Sequence, residues 1–227
     1  MKMAFNRDPE AAARHASIPL RRVMVLNPNT DPQVTALLRR AARASAPPGC
    51  RTFTRSVSSG PTALRDAADL VIAERQVLSL VRAGCAPDGL VIAAFGDPGL
   101  EAAQAVAAFP VAGLGASGLA AAAAHGRFAI LTLGPGMDAP LRARIARLGL
   151  ADRLAGLRYL DADIPDVARN PDRFLPAIEA EARHAADAGA RALLLGGAPF
   201  AGLGQRARAP IPVIDGLKAA IDAVLAR

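Results

Sequence analysis

Four short stretches hold residue types from which an anion site can be built. They are Asn27-Pro28-Asn29-Thr30, Phe95-Gly96-Asp97-Pro98-Gly99, Thr132-Leu133-Gly134-Pro135-Gly136 and Gly196-Gly197-Ala198-Pro199-Phe200. Asparagine and threonine offer neutral donors, and glycine lets backbone N–H groups approach a carboxylate closely. Each stretch follows an apolar run, so each sits where a strand ends. Taken singly, such a loop serves equally well to turn a strand into a helix. Their recurrence at matching strand ends is what favours a site, with Asn27, Ala94, Phe95, Gly96, Thr132, Gly197 and Ala198 as its expected ligand-binding residues.

A reactive group is harder to find. The stretch LVIAAFGDPGL, residues 90–100, offers Ala93 and Ala94 at the strand end where a nucleophile or base would be expected. Asp97 and Asp215 read as helix-start residues, His125 as a helix C-terminal residue beside Gly126, and His184 as a solvated mid-helix residue. Thr132, Ser117 and Tyr159 can donate hydrogen bonds but are poor bases at neutral pH. Cys50 opens a strand and Cys85 ends a long helix, which puts both at the strand entrance as packing or surface residues. The catalytic residues are therefore left unassigned. No metal ligands are expected, because the cysteines have no metal-ligand spacing.

The elements that must position these loops alternate regularly. Apolar runs predict strands near 22–27, 51–56, 89–94, 109–113, 127–132, 156–160, 191–196 and 211–215. Ala/Leu/Arg segments predict helices near 32–45, 62–84, 98–107, 116–124, 138–148, 172–189 and 215–226. This order implies an α/β fold with largely parallel sheets. The second half also repeats the first: VMVLNPNT matches FAILTLGPG, DGLVIAAFGDPGL matches ARALLLGGAPFAGL, and FPVAGL matches IPVIDGL. The offsets are 105 from Val23 to Phe128, 103 from Leu90 to Leu193, and 102 from Pro110 to Pro212. Two pseudo-symmetric lobes follow, each a largely parallel four-stranded sheet flanked by helices. The first lobe is expected over 21–117, completed by 213–227, and the second over 118–212, with 1–20 as a flexible tail or oligomer arm. Ligands of open parallel sheets bind beyond the carboxyl ends of the strands, so the four loops should face one interlobe cleft.

Composition narrows the partners. The 227 residues are 52% hydrophobic, but no apolar run approaches the length of a membrane span, so no membrane association is expected. The net charge of +7 comes almost wholly from arginines spread over helices, with one Tyr and no Trp for base stacking. Solvated helix faces explain this better than a nucleic-acid groove. Two cysteines and the absence of an export signal point to a reduced cytoplasm.

VLNPNT, GPTALRDAADL, DGLVIAAFGDPGL, FPVAGLG, RALLLGGAPFAGL and IPVIDGL together resemble the successive motifs of the aspartate/glutamate/hydantoin racemase superfamily, closest to its hydantoin racemase branch. The likeness covers roughly residues 22–220. It implies a cofactor-independent enzyme in which two cysteines on opposite walls exchange the proton of a carbon next to a carbonyl, and it implies a homo-oligomer. The same resemblance places the two cysteine positions at Ala94 and Gly197, and an acidic residue of the branch at Ala116.

The expected function is thus binding of a small carboxylate or cyclic imide, by an isomerase or lyase that works through an enolate-like intermediate without the two-cysteine route. A non-catalytic binding or regulatory homologue and a racemase with its cysteines mutated away are the alternatives.

Overall fold

The structure, a computed structural model, describes residues 20–227, so the expected tail lies outside the described residues apart from the exposed Leu20. Among the described residues eight strands form two sheets. The first contains β1 (Arg21–Asn27), β2 (Cys50–Ser56), β3 (Gly89–Ile92) and β4 (Val111–Gly113) in the order β2-β1-β3-β4. The second contains β5 (Phe128–Leu133), β6 (Leu154–Leu160), β7 (Ala192–Gly196) and β8 (Val213–Asp215) in the order β6-β5-β7-β8. All pairs are parallel.

The repeat seen in the sequence is a repeat of register. Val23 pairs with Gly89 and Leu90 with Val111 in the first sheet, while Phe128 pairs with Ala192 and Leu193 with Val213 in the second. These pairs carry the same 105, 103 and 102 offsets. Asn27 therefore corresponds to Thr132, and Ala94 to Gly197.

The middle of each inner strand is apolar and buried because both of its faces are covered. Val23, Val25 and Val91 face α1 (Pro32–Ser45) and α8 (Gly216–Leu225), while Met24, Leu26, Leu90 and Ile92 face α2 (Ala67–Arg82) and α3 (Leu100–Val106). In the second sheet, Phe128, Ile130 and Leu194 face α4 (Leu114–Ala124) and α5 (Asp138–Arg147). Leu131, Leu193 and Leu195 face α7 (Leu175–Asp187). The short α6 (Ile164–Arg169), which was not expected, starts behind Asp163 with Pro165 in its first turn. Its Ala168 packs into the first lobe's core and its Val167 into the second's.

The last helix of each half crosses to the other half. The helix α4 follows the first sheet but covers the second, whereas α8 follows the second and covers the first. Residues 213–227 therefore do not act together: Val213–Asp215 hydrogen-bond to β7, and only the helix after them completes the first core. The expected boundary at 117/118 also falls inside α4.

Candidate functional site

The loops after β1, β3 and β7 and the carboxyl end of β5 converge on a cavity of about 250 Å³ between the lobes, and the expected Gly134-Pro135-Gly136 turn does not line it. Ala94, Phe95, Gly96, Thr132, Gly197 and Ala198 all line it. Asn27 does not. It is fully buried, and its Nδ2 donates to Asn29 Oδ1 at 2.8 Å and to Thr35 Oγ1 at 3.0 Å. Asn27 thus fixes the turn from behind, and Asn29 takes the place on the wall. Thr132 also spends its hydroxyl proton, donating to the Gly196 carbonyl at 2.6 Å.

The loop after β3 is held in an uncommon conformation. Asp97 is the one non-glycine residue with positive φ (46°) among the described residues, and the proline that follows it further restricts its backbone. Its amide closes a turn onto the Ala94 carbonyl at 3.0 Å. Its buried carboxylate accepts from the N–H of Gly115 at 2.8 Å and of Ala116 at 2.6 Å, both in the first turn of α4. The cap forecast for Asp97 is therefore real, but it caps a helix other than the one that follows it. Gly113 and Gly115 make room: a Cβ on Gly113 would lie 2.3 Å from the Asp97 carboxyl carbon, and one on Gly115 would lie 2.0 Å from the Phe95 carbonyl oxygen.

Arg144 completes this loop from the other lobe. It projects from α5, with its side chain 14% exposed, and donates through Nη1 to the Phe95 carbonyl at 2.9 Å and through Nη2 to Asp97. Burial pushes the Asp97 carboxyl above the ordinary carboxylate range, opposed by the Arg144 guanidinium and the two helix amides. With three donors around it the carboxylate is well satisfied, and the pair ties the lobes together across the cavity rim.

Asp215 is a counterpart in the second half. It caps α8 by accepting from Leu217 N at 2.9 Å, and it also accepts from Gly202 N in the loop after β7. In one lobe the loop supplies the carboxylate, and in the other the helix cap does. Burial raises the Asp215 carboxyl as well.

The amides of the cavity loops remain available. Among the described residues, the N–H groups of Phe95, Gly96 and Gly197 have no acceptor. Ala94 and Gly197 stand at the carboxyl ends of the matching strands β3 and β7. The remaining lining is largely aliphatic, with Leu64, Leu70, Leu133, Leu141 and Ile164 among its members. Its charged residues are Arg144 and Arg147; among the described residues no carboxylate, imidazole, amine or thiol lines it. Cys50 and Cys85 pack against the first lobe's cores. No cluster of metal-binding side chains occurs among the described residues, and no helix there is long and apolar enough to cross a membrane.

Residues 23–224 match the family described as Asp/Glu/Hydantoin racemase. The chain belongs to that family. It is 28% identical over 206 residues to a hydantoin racemase of Pseudomonas sp. (strain NS671), covering 88% of this chain and 83% of the relative. Among solved structures it is similar to allantoin racemase from Klebsiella pneumoniae, with a TM-score of 0.83, 31% identity, and coverage of 91% of this chain and 86% of that one. A maleate cis-trans isomerase of Nocardia farcinica, at 17% identity and a TM-score of 0.64 over 91% of both chains, shares the fold. The racemase fold is therefore this chain's fold, and its two parallel sheets are those of the family.

The two arginines on the cavity wall escaped the sequence reading, which took Pro140-Leu141-Arg142-Ala143-Arg144 and its continuation as a solvated face. Their spacing held a signal. Arg144 lies three residues after Leu141 and next to Ile145, the two buried apolar residues of α5, which puts it at the edge of that helix's apolar face. An arginine at that edge calls for a buried partner.

Proposed function

We propose that this racemase-family protein binds a small carboxylate or cyclic imide between its lobes and acts as a cofactor-independent isomerase or lyase through an enolate-like intermediate, without a two-thiol proton relay. One observation carries the reading: Phe95, Gly96 and Gly197, whose N–H groups have no acceptor among the described residues, follow matching strand ends of the two lobes and line one cavity. Preorganised N–H donors in a site poor in water stabilise developing oxyanion charge strongly. Ala94 and Gly197 stand at the positions where the family resemblance puts the two cysteines, so neither wall offers a thiol.

Of the two reaction types, a lyase step fits this lining better. Abstracting a proton from carbon needs a base, and the lining has none. Loss of carbon dioxide does not. The C–C bond to the leaving carboxylate breaks, its electron pair passes into the enolate held by the amides, and water supplies the proton to carbon. The absence of a titratable base also favours a second reading, in which the cleft binds its ligand without turnover.

Incubation with substituted malonates, hydantoins, aspartate and glutamate in deuterated water separates these readings. The expected result is release of carbon dioxide from a malonate, deuterium incorporation at the product carbon, and no α-proton exchange in the other compounds. No turnover, together with thermal stabilisation by a panel member, would establish the binding reading instead. In Ala94→Cys/Gly197→Cys, α-proton exchange should appear with at least one panel member; its absence would argue against the pairing of these two positions.

A further inference from the structure

Both charged side chains on the cavity wall are cations from one helix. Arg144 and Arg147 lie three residues apart on α5, so they share a face of the helix and both reach the cavity. Their charge is only partly compensated. Arg144 faces Asp97, whereas Arg147 has a carboxylate, Glu101, only at 3.9 Å, with both of those side chains largely exposed. Solvated pairs of that kind contribute little. The pocket wall therefore holds two guanidinium groups against one closely bound carboxylate.

Arg144 also has donors to spare. A guanidinium carries five N–H groups in a planar fork, and the Phe95 carbonyl and Asp97 engage one on each terminal nitrogen. Those two contacts fix the plane of the group, and a fixed fork binds a carboxylate with little further loss of freedom. The same cavity is lined by Leu64, Leu70, Leu133, Leu141 and Ile164, an aliphatic surface with no polar side-chain atom, of which Leu141 lies one turn from Arg144 on α5. Such a wall suits an apolar group and rejects a polar substituent, whose hydrogen bonds to water it cannot replace.

We infer that the ligand is a carboxylate with a compact apolar body, its charge held by Arg144 and Arg147 and its body set against the aliphatic wall. This rests on the reading of the interlobe cleft as the ligand site, and it selects the carboxylate over the uncharged cyclic imide. A neutral ring would offer a weaker acceptor to the N–H groups that Arg144 has to spare. A carboxylate offers them a charged one.

Three probes that share an isobutyl group test the assignment by calorimetry on the full-length protein: the anion 4-methylpentanoate, its uncharged isostere 4-methylpentanamide, and the larger neutral ring 5-isobutylhydantoin. The acid should bind at least roughly tenfold more tightly than the amide, as expected for hydrogen bonds to a charged partner. Arg147→Gln, which removes a largely exposed cation, should weaken the acid by about three- to fivefold, as for a solvated pair, and change the amide and the hydantoin by less than about 1.5-fold. Arg144→Lys keeps a cation beside Asp97 while losing the planar fork, and it should weaken the acid selectively too. Preference for the hydantoin over the acid would overturn the carboxylate assignment while leaving the cleft as the ligand site. Acid binding unaffected by either arginine variant, or no binding of the acid at all, would overturn it as well. Turnover of the malonate panel is measured separately and tests the reading beneath.

Discussion

Gly197 lines the site and Gly115, in the first turn of α4, packs behind the Phe95 turn, and their surroundings give them opposite tolerances. A Cβ on Gly115 would meet the Phe95 carbonyl oxygen at 2.0 Å, and neither backbone can yield without moving the turn that carries Ala94 to Gly96. A Cβ on Gly197 would find only ordinary contacts, at 3.4 to 3.9 Å from Pro199 and Phe200, on extended backbone that any residue adopts. Gly115→Ala is therefore expected to cost more than about 2 kcal/mol and to abolish ligand binding, whereas Gly197→Ala should stay within about 1 kcal/mol of the parent. Chemical denaturation of both variants checks this, and equal losses would show that the two positions are packed alike. At this scale the sequence was legible wherever a residue acts through its backbone. The matching strand-end positions Ala94 and Gly197 were read from the repeat, and Gly96 from the glycines of its loop. Asn27 did not, because a side-chain amide at a strand end can turn outward to a ligand or inward to its own turn, and only the packing of Asn29 and Thr35 decides. Arg144 was lost for a related reason: its partner Asp97 lies 47 residues away in the other lobe.

Among the elements, all eight strands and seven of the eight helices lie where apolar runs and Ala/Leu/Arg segments predict them. The exception, α6, has only six residues, too few for an apolar periodicity to declare itself. Its Asp163-Ile164-Pro165 start was the available sign. The exchange of α4 and α8 was half legible: the C-terminal helix was expected in the first lobe, but the reciprocal crossing of α4 was not, since periodicity shows that a helix is buried without showing against which sheet. The two exchanged helices meet at their first turns. A Cβ on Gly216 would lie 2.7 Å from the Leu114 carbonyl oxygen, and one on Gly118 would lie 3.2 Å from the Gly216 Cα. Side chains there would force the helices apart and lift both from the sheets they cover. Gly216→Ala should lower the midpoint of urea unfolding by an amount corresponding to about 1–3 kcal/mol, with an unchanged slope. An unaltered midpoint would mean that the crossing is looser than these distances require.

For the molecule as a whole, the crossing makes each lobe's core depend on a segment from the other. Leu217, Ala220, Ile221 and Val224 of α8 fill the first core, while Leu119, Ala122 and Ala123 of α4 fill the second. The buried Asp97–Arg144 pair adds a polar tie, and separating it on unfolding of one lobe would leave a charge without its partner, a loss of about 3–5 kcal/mol for such pairs. A state with one lobe folded and the other unfolded would forfeit apolar burial in both, so the chain should unfold as a single unit despite its two sheets. The composition supplies a lobe-specific probe, because Tyr159 on β6 is the sole tyrosine and there is no tryptophan. Its fluorescence follows the second sheet, whereas far-ultraviolet circular dichroism follows the helices of both halves. Urea titrations read by the two signals should give coincident midpoints and slopes. A tyrosine transition displaced from the dichroism transition would mean that one sheet persists without its borrowed helix. The interlobe cleft would then join two bodies able to open independently, and Arg144 would hold the Phe95 turn only while they are closed.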